Sequence, residues 1–230
     1  MDVSYPDSTP LAIFDHDGVL VDTLAFHQEA WVELGRRCDL PITAEFIHET
    51  FGMTNPSIFR KLLGDEGFAQ ADTEKYAQIK ETCYRELARG KIVLMPGIQT
   101  LLDRLTEAGV RLAIGTSGVL PNLQMTVEAC GLQGRFGAMA SLEDIQHGKP
   151  DPQVFLIAAA KSRSQPARSV VFEDALVGIQ AAKAAGMYAV GVTTSHSADA
   201  LREAGANEVH DRLDAFDISR FLRRINAETN

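Results

Sequence analysis

A chain of 230 residues, 45% hydrophobic and 23% charged, has the length of one generous domain, or of one domain with a smaller insertion, and enough apolar content for a sizeable core. Its 22 Lys and Arg against 31 Asp and Glu leave a net charge of −9, which excludes a general nucleic-acid binder and at first sight disfavours phosphorylated ligands too. No apolar run is long enough for a membrane span or signal peptide, and the widely spaced Cys38, Cys83 and Cys130 read as reduced thiols of a cytoplasmic protein, with neither disulfides nor a zinc site.

In chain order, residues 11–14 are a short apolar run stopped by Asp15, the pattern of a strand buried on both faces. Helical patterns follow over 27–38, 43–51, 56–63 and 73–89, punctuated by Pro41, Asn55-Pro56 and Pro96-Gly97. Strands at 110–114, 138–139, 170–172 and 189–192 then alternate with helices at 98–108, 119–130, 152–161 and 176–185. Strand–helix alternation predicts an α/β fold, a Rossmann-like parallel sheet covered by helices. The long stretch between the first two strands exceeds any ordinary crossover. It predicts a helical cap at 22–92 inserted into a core made of 1–21 and 93–230.

Polar groups stand at the ends of four of these strands. Asp15 and Asp17 follow the first, Thr116 and Ser117 the second, Lys149 the third, and Glu173-Asp174 end the fourth. Ligands of open parallel sheets gather outside the carboxyl ends of the strands. Each carboxylate alone reads as an ordinary helix cap; four groups at four corresponding places do not. Converging carboxylates call for a hard divalent cation, with Mg²⁺ the natural candidate. A carboxylate nucleophile can then take a phosphoryl group, a second carboxylate can move the leaving-group proton, and Lys149 and Thr116 can hold phosphoryl oxygens. Gly18 lets the backbone turn sharply beside the ligand.

Those motifs together resemble the haloacid dehalogenase superfamily, in the subgroup with a helical cap after the first strand. The resemblance runs from about Leu11 to Leu213: Asp15-His16-Asp17-Gly18-Val19-Leu20, Ala113-Ile114-Gly115-Thr116-Ser117, Gly148-Lys149-Pro150, and Val171-Phe172-Glu173-Asp174 with Gly178 and Ala185-Gly186. It implies Asp15 as nucleophile and Mg²⁺ ligand, Asp17 as acid/base offering its carbonyl to the metal, and Thr116 and Lys149 as phosphoryl binders. Asp174 would bind Mg²⁺, with Glu173 in or just outside the ligand set. Substrate contacts are expected from Gly18, Ser117 and Gly118 on the core side and from His27, Thr54, Asn55 and Lys80 on the cap side. His16 replaces the usual apolar residue and reads as structural or tuning, and Ala175 replaces a hydroxyl common among relatives.

Asp17 disfavours the dehalogenating and phosphonate-cleaving branches, which lack it. Thr23, His27 and Trp31, with Lys80, match the spacing of the β-phosphoglucomutase-like group. Asn55 departs from it, since the mutases place an arginine there and an amide offers no charged fork. The expectation is a Mg²⁺-dependent hydrolase of a small phosphorylated metabolite, perhaps a sugar phosphate, acting as a monomer or weak homo-oligomer with no nucleic-acid or membrane partner. A sugar-phosphate mutase is the alternative. A phospho-receiver is disfavoured by the chain's length and its cap.

Overall fold

The computed structural model describes residues 9–227; positions 1–8 and 228–230 of the expected core lie outside the described residues. Its centre is a six-stranded, all-parallel sheet in the order β3-β2-β1-β4-β5-β6. The strands are β1 (Leu11–Phe14), β2 (Arg111–Gly115), β3 (Ala138–Ala140), β4 (Ser169–Glu173), β5 (Tyr188–Val192) and β6 (Glu208–His210).

The unbroken apolar runs are explained by how the sheet divides them. Ala12, Phe14, Leu112, Ile114, Val170, Phe172 and Val190 face one side, with Leu101, Leu105, Phe216 and Phe221. Leu11, Ile13, Ala113, Val171 and Ala189 face the other, with Val154, Phe155, Ala158, Ile179 and Ala182. Period-two alternation thus feeds two cores at once, and the buried polar residues of β4, Ser169 and Glu173, stand at its ends with partners. Phe14 stacks on Phe172 at 4.7 Å, and Phe216 meets Phe172 edge-on at 5.0 Å.

Between β1 and β2 run α1 (Leu24–Cys38), α2 (Ala44–Glu49), α3 (Asn55–Gln70), α4 (Thr73–Ala88) and α5 (Ile98–Glu107). The first four helices carry their own apolar cluster, built on Trp31, Leu34, Ile42, Ile47, Ile58 and Phe59. Side-chain oxygens of Thr43, Thr54 and Asp72 cap α2, α3 and α4. The expected helix end at residue 63 coincides with a break, because Gly64 sits at φ 70° inside α3 before the helix resumes to Gln70. The chain leaves the sheet region past Val21 and returns beside it. Val21 bridges Leu94 antiparallel, and the Met95 N–H donates to the Leu20 carbonyl at 2.8 Å.

The remaining helices are α6 (Leu120–Ala129), α7 (Gln153–Lys161), α8 (Leu176–Ala184), α9 (Ala198–Glu203) and α10 (Ile218–Ala227). Three elements extend the sequence expectation: β6, α9 and α10. The first is a polar edge strand of three residues, too short and mixed to show a period. The helix α10 does carry one, burying Ile218, Phe221 and Ile225 on a single stripe. Among the described residues no helix is long and apolar enough to cross a membrane.

Candidate active site

The carboxyl ends of β1, β2 and β4 bring the expected residues to one place. Asp15 continues β1, its N–H donating to the Phe172 carbonyl at 3.0 Å. The chain must then turn at once, and Gly18 does so at φ +77°. A Cβ there would lie 2.0 Å from Asp174 Oδ2, so glycine is required by contact as well as by conformation. Thr116 leaves β2 and accepts from the Gly118 N–H at 3.0 Å.

Lys149 is buried and bridges two acids, donating to Asp15 Oδ1 at 2.8 Å and to Glu173 Oε1 at 2.6 Å. Glu173 Oε2 takes the backbone N–H groups of Asp174 and Ala175, both at 2.7 Å. Gly178 makes room for this side chain, since a Cβ would fall 1.7 Å from Glu173 Oε1. Asp174 is different. Ser195 Oγ donates to its backbone carbonyl at 2.8 Å, yet both carboxylate oxygens are buried without a partner. Asp15, Glu173 and Asp174 each offer an oxygen within 4.8 Å of the others. Three carboxylates facing one ammonium, one of them orphaned, form a donor set suited to a hard divalent cation. Burial pushes Asp174 well above the usual carboxylate range, and repulsion from Glu173 and Asp15 adds to it. Burial likewise lifts Asp15 to about 7 against the lowering by Lys149.

Asp17 sits among donors. Thr23 Oγ1 reaches its Oδ1 at 2.5 Å, His16 Nδ1 at 3.1 Å and His27 Nε2 at 3.2 Å. Burial alone would raise Asp17, but the two imidazoles outweigh it and hold the group well below its ordinary value. Thr23 occupies the position before α1 without capping it, because its hydroxyl is spent on Asp17. The tautomer of His27 follows from its other neighbour. Lys80 Nζ lies 2.9 Å from His27 Nδ1, and an ammonium only donates, so Nδ1 accepts and Nε2–H points to Asp17. Burial and the Lys80 charge both lower the pKa of this imidazole. His16 meets Thr126 Oγ1 at 2.7 Å on its other nitrogen, which fixes its ring under the sheet cover.

Of the expected substrate residues, His27, Asn55, Lys80, Ser117 and Gly118 line one pocket with Asp15, Asp17 and Thr116. Ser117 Oγ is buried there without a protein partner. Thr54 lies elsewhere: it caps α3, and its side chain packs on the backbone at Gly148, where a Cβ would come within 2.6 Å of it. Gly18 serves Asp174 and is not among the lining residues.

Sequence reasoning passed over Glu81 and Asn122. Glu81, 6% exposed, accepts from Lys80 Nζ and Asn55 Nδ2, both at 2.8 Å, and from Asn122 Nδ2 at 2.6 Å. It thereby ties α4 to α3 and, through Asn122, to α6. Burial opposes its ionisation, but the Lys80 charge and the hydrogen bonds from Lys80 and Asn55 prevail and hold it at about 2.

Residues 12–192 match the family described as haloacid dehalogenase-like hydrolase. The chain is similar to a validoxylamine A 7'-phosphate phosphatase of Streptomyces hygroscopicus subsp. limoneus, 31% identical over 84% of this chain and 90% of that one. It is also similar to a β-phosphoglucomutase of Bacillus subtilis, 30% identical over 78% and 81%. A crystal structure of a hydrolase from Pseudomonas syringae superposes with a TM-score of 0.83 at 27% identity, covering 94% of this chain and 99% of that one.

Proposed function

The chain belongs to the haloacid dehalogenase-like hydrolase family, and on that premise we propose that it is a phosphatase of small phosphorylated metabolites, sugar phosphates foremost, that uses Mg²⁺. The observation carrying this reading is the convergence of Asp15, Thr116, Lys149, Glu173 and Asp174 from separate strand ends on one buried point, with Asp17 beside it. Asp15, Asp174 and the Asp17 carbonyl would hold the cation, with Glu173 closing the set. When bound, the metal neutralises the carboxylates and the phosphoryl oxygens, so that an anionic substrate can enter an acidic site.

In the proposed reaction Asp15 attacks phosphorus, forming a carboxylate–phosphorus bond as the ester P–O bond breaks. Asp17, which must be loaded with a proton against the pull of His16 and His27, protonates the departing oxygen, then takes a proton from the water that attacks the aspartyl-phosphate, releasing phosphate. Its Oδ1 is taken by Thr23, His16 and His27, which leaves Oδ2, the oxygen on the Gly118 side, to carry the proton. Lys149, Thr116 and Ser117 would cradle the phosphoryl oxygens. We also assign residues 22–92 as a cap over a core of 1–21 and 93–230, in keeping with the separate apolar cluster of α1–α4 and the paired crossings at Val21 and Leu94.

A mutase is the second reading, favoured by the Asp17–His27–Lys80 contact and by the B. subtilis relative. Hydrolysis is preferred because Asn55 is spent on Glu81 and brings no charge to a distal phosphate. Incubation with a panel of sugar phosphates, reading free phosphate and isomers together, decides between them. Stoichiometric phosphate release that is abolished in Asp15→Asn supports the phosphatase; isomerisation with little free phosphate supports the mutase.

A further inference from the structure

The pocket has two ends of different chemistry. At one, Asp15, Asp17, Thr116 and Ser117 face the place of the phosphoryl group, with Lys149 buried behind Asp15. The other is walled by Trp31, Ile47, Phe51, Met53, Asn55, Ile58, Lys80 and Glu81. Resting on the phosphatase reading, we propose that Glu81 is a specificity-determining residue, which confines the substrate to phosphomonoesters whose remote end is neutral or cationic and carries no second anion.

Lys80 is the one lysine or arginine among the residues lining the pocket. It is also the only group there able to attract a second phosphate or carboxylate. Its charge is already answered: Nζ is 2.8 Å from Glu81 Oε1, with both side chains buried. His27 adds no charge, because its Nδ1 accepts from that same ammonium. Asn55 is neutral and points its amide nitrogen at Glu81. The remaining wall is apolar. An anion entering this end would shed its water to meet an ammonium already paired with Glu81 and keeping one N–H, and would lie beside the Glu81 carboxylate.

Hydroxyls and amines meet the opposite situation. A carboxylate offers about four acceptor positions, and Glu81 has three donors on it, from Lys80, Asn55 and Asn122. Lys80 and Asn55 occupy Oε1 and Asn122 takes one side of Oε2, so the remaining acceptor position is on Oε2. That capacity suits a donor on the substrate and offers nothing to an acceptor.

Three probes share one phosphoryl end and differ in charge at the other: glucose 6-phosphate, glucosamine 6-phosphate and 6-phosphogluconate; the last is also open-chain, a difference in shape that Glu81→Gln leaves in place while removing the charge. Each is measured as a competitor of p-nitrophenyl phosphate hydrolysis by the Mg²⁺-loaded full chain, which gives a constant whether or not the probe is itself turned over. The wild type is expected to bind 6-phosphogluconate at least tenfold more weakly than glucose 6-phosphate, and glucosamine 6-phosphate at least as tightly as glucose 6-phosphate. In Glu81→Gln the ratio between the first two should close by tenfold. A residue that merely braces α4 against α6 would shift all three constants together and leave their ratios unchanged. Equal constants in the wild type, or no measurable competition by any probe, overturn the proposal without the variant. So does an unchanged ratio in a folded Glu81→Gln. If p-nitrophenyl phosphate itself is not hydrolysed, the phosphatase reading fails first and takes this one with it.

Discussion

Asp174→Asn exchanges a buried, orphaned carboxylate for a neutral amide of the same shape, and its effect should change sign with the metal. In chelator the wild type holds Asp15, Glu173 and Asp174 against the single ammonium of Lys149, with both Asp174 oxygens unpartnered. An unsatisfied buried group costs about 1–3 kcal/mol, more when charged. Because the folded pKa of Asp174 is raised, stability declines as pH climbs above its ordinary 3.8, so the cost is present at neutral pH. The variant should therefore be more stable than the wild type in chelator by about 1–3 kcal/mol, or roughly 2–12 °C in Tm for a chain of this size. Mg²⁺ at about a hundredfold excess over its Kd stabilises a binding protein by about 2.7 kcal/mol. The wild type should gain this and the variant most of it lose, so the two melting curves cross over. Calorimetry of both proteins in EDTA and in Mg²⁺ provides the four numbers. A variant less stable than the wild type in EDTA, or one that gains as much from Mg²⁺, refutes the reasoning.

Gly18→Ala places a methyl 2.0 Å from Asp174 Oδ2 at a φ of +77°, so it should weaken Mg²⁺ binding at least tenfold, read by titrating the metal-induced shift in Tm; an unshifted midpoint contradicts it. Glu81 should contribute acid sensitivity. Its folded value of about 2 lies below the ordinary 4.5, so its stabilisation is full above 4.5 and lost as pH falls through about 2. The whole contribution is at most roughly 3 kcal/mol. Urea unfolding at pH 6 and pH 3 should show a smaller loss for Glu81→Gln than for the wild type, and equal losses count against the assignment.

What was legible in the chain is tied to the sheet. An apolar run that stops at a polar residue marks a strand and its carboxyl end, so Asp15, Thr116 and Glu173-Asp174 could be placed from the chain alone. Glu81 could not. Adjacent residues on a helix do not normally face one another, and in sequence it is one more acid on a charged helix. Its meaning lies in Asn55 and Asn122, which are 26 and 41 positions away. His16 was obscure for the same reason, its partner Thr126 being 110 positions distant. Thr54 shows the converse: a hydroxyl beside the expected substrate residues that the backbone of α3 had already claimed.

The paired crossings at Val21 and Leu94 leave the helical segment as a closed loop hung from one point of the sheet. Its two ends meet whatever lies between them, so the entropy of closing it depends only weakly on its length. Substitutions around Trp31, Ile47, Met53 or Asn55 can therefore remodel the remote wall while β1 and β4 hold the carboxylates in register through Phe14 and Phe172. On the proposed reading, chemistry and selectivity are carried largely by different parts of the chain. They stay coupled where α1 and α4 bury Ala30, Tyr84 and Ala88 in the sheet's own apolar cluster, where Glu81 and Arg85 reach Asn122, and where Thr23 and His27 reach Asp17.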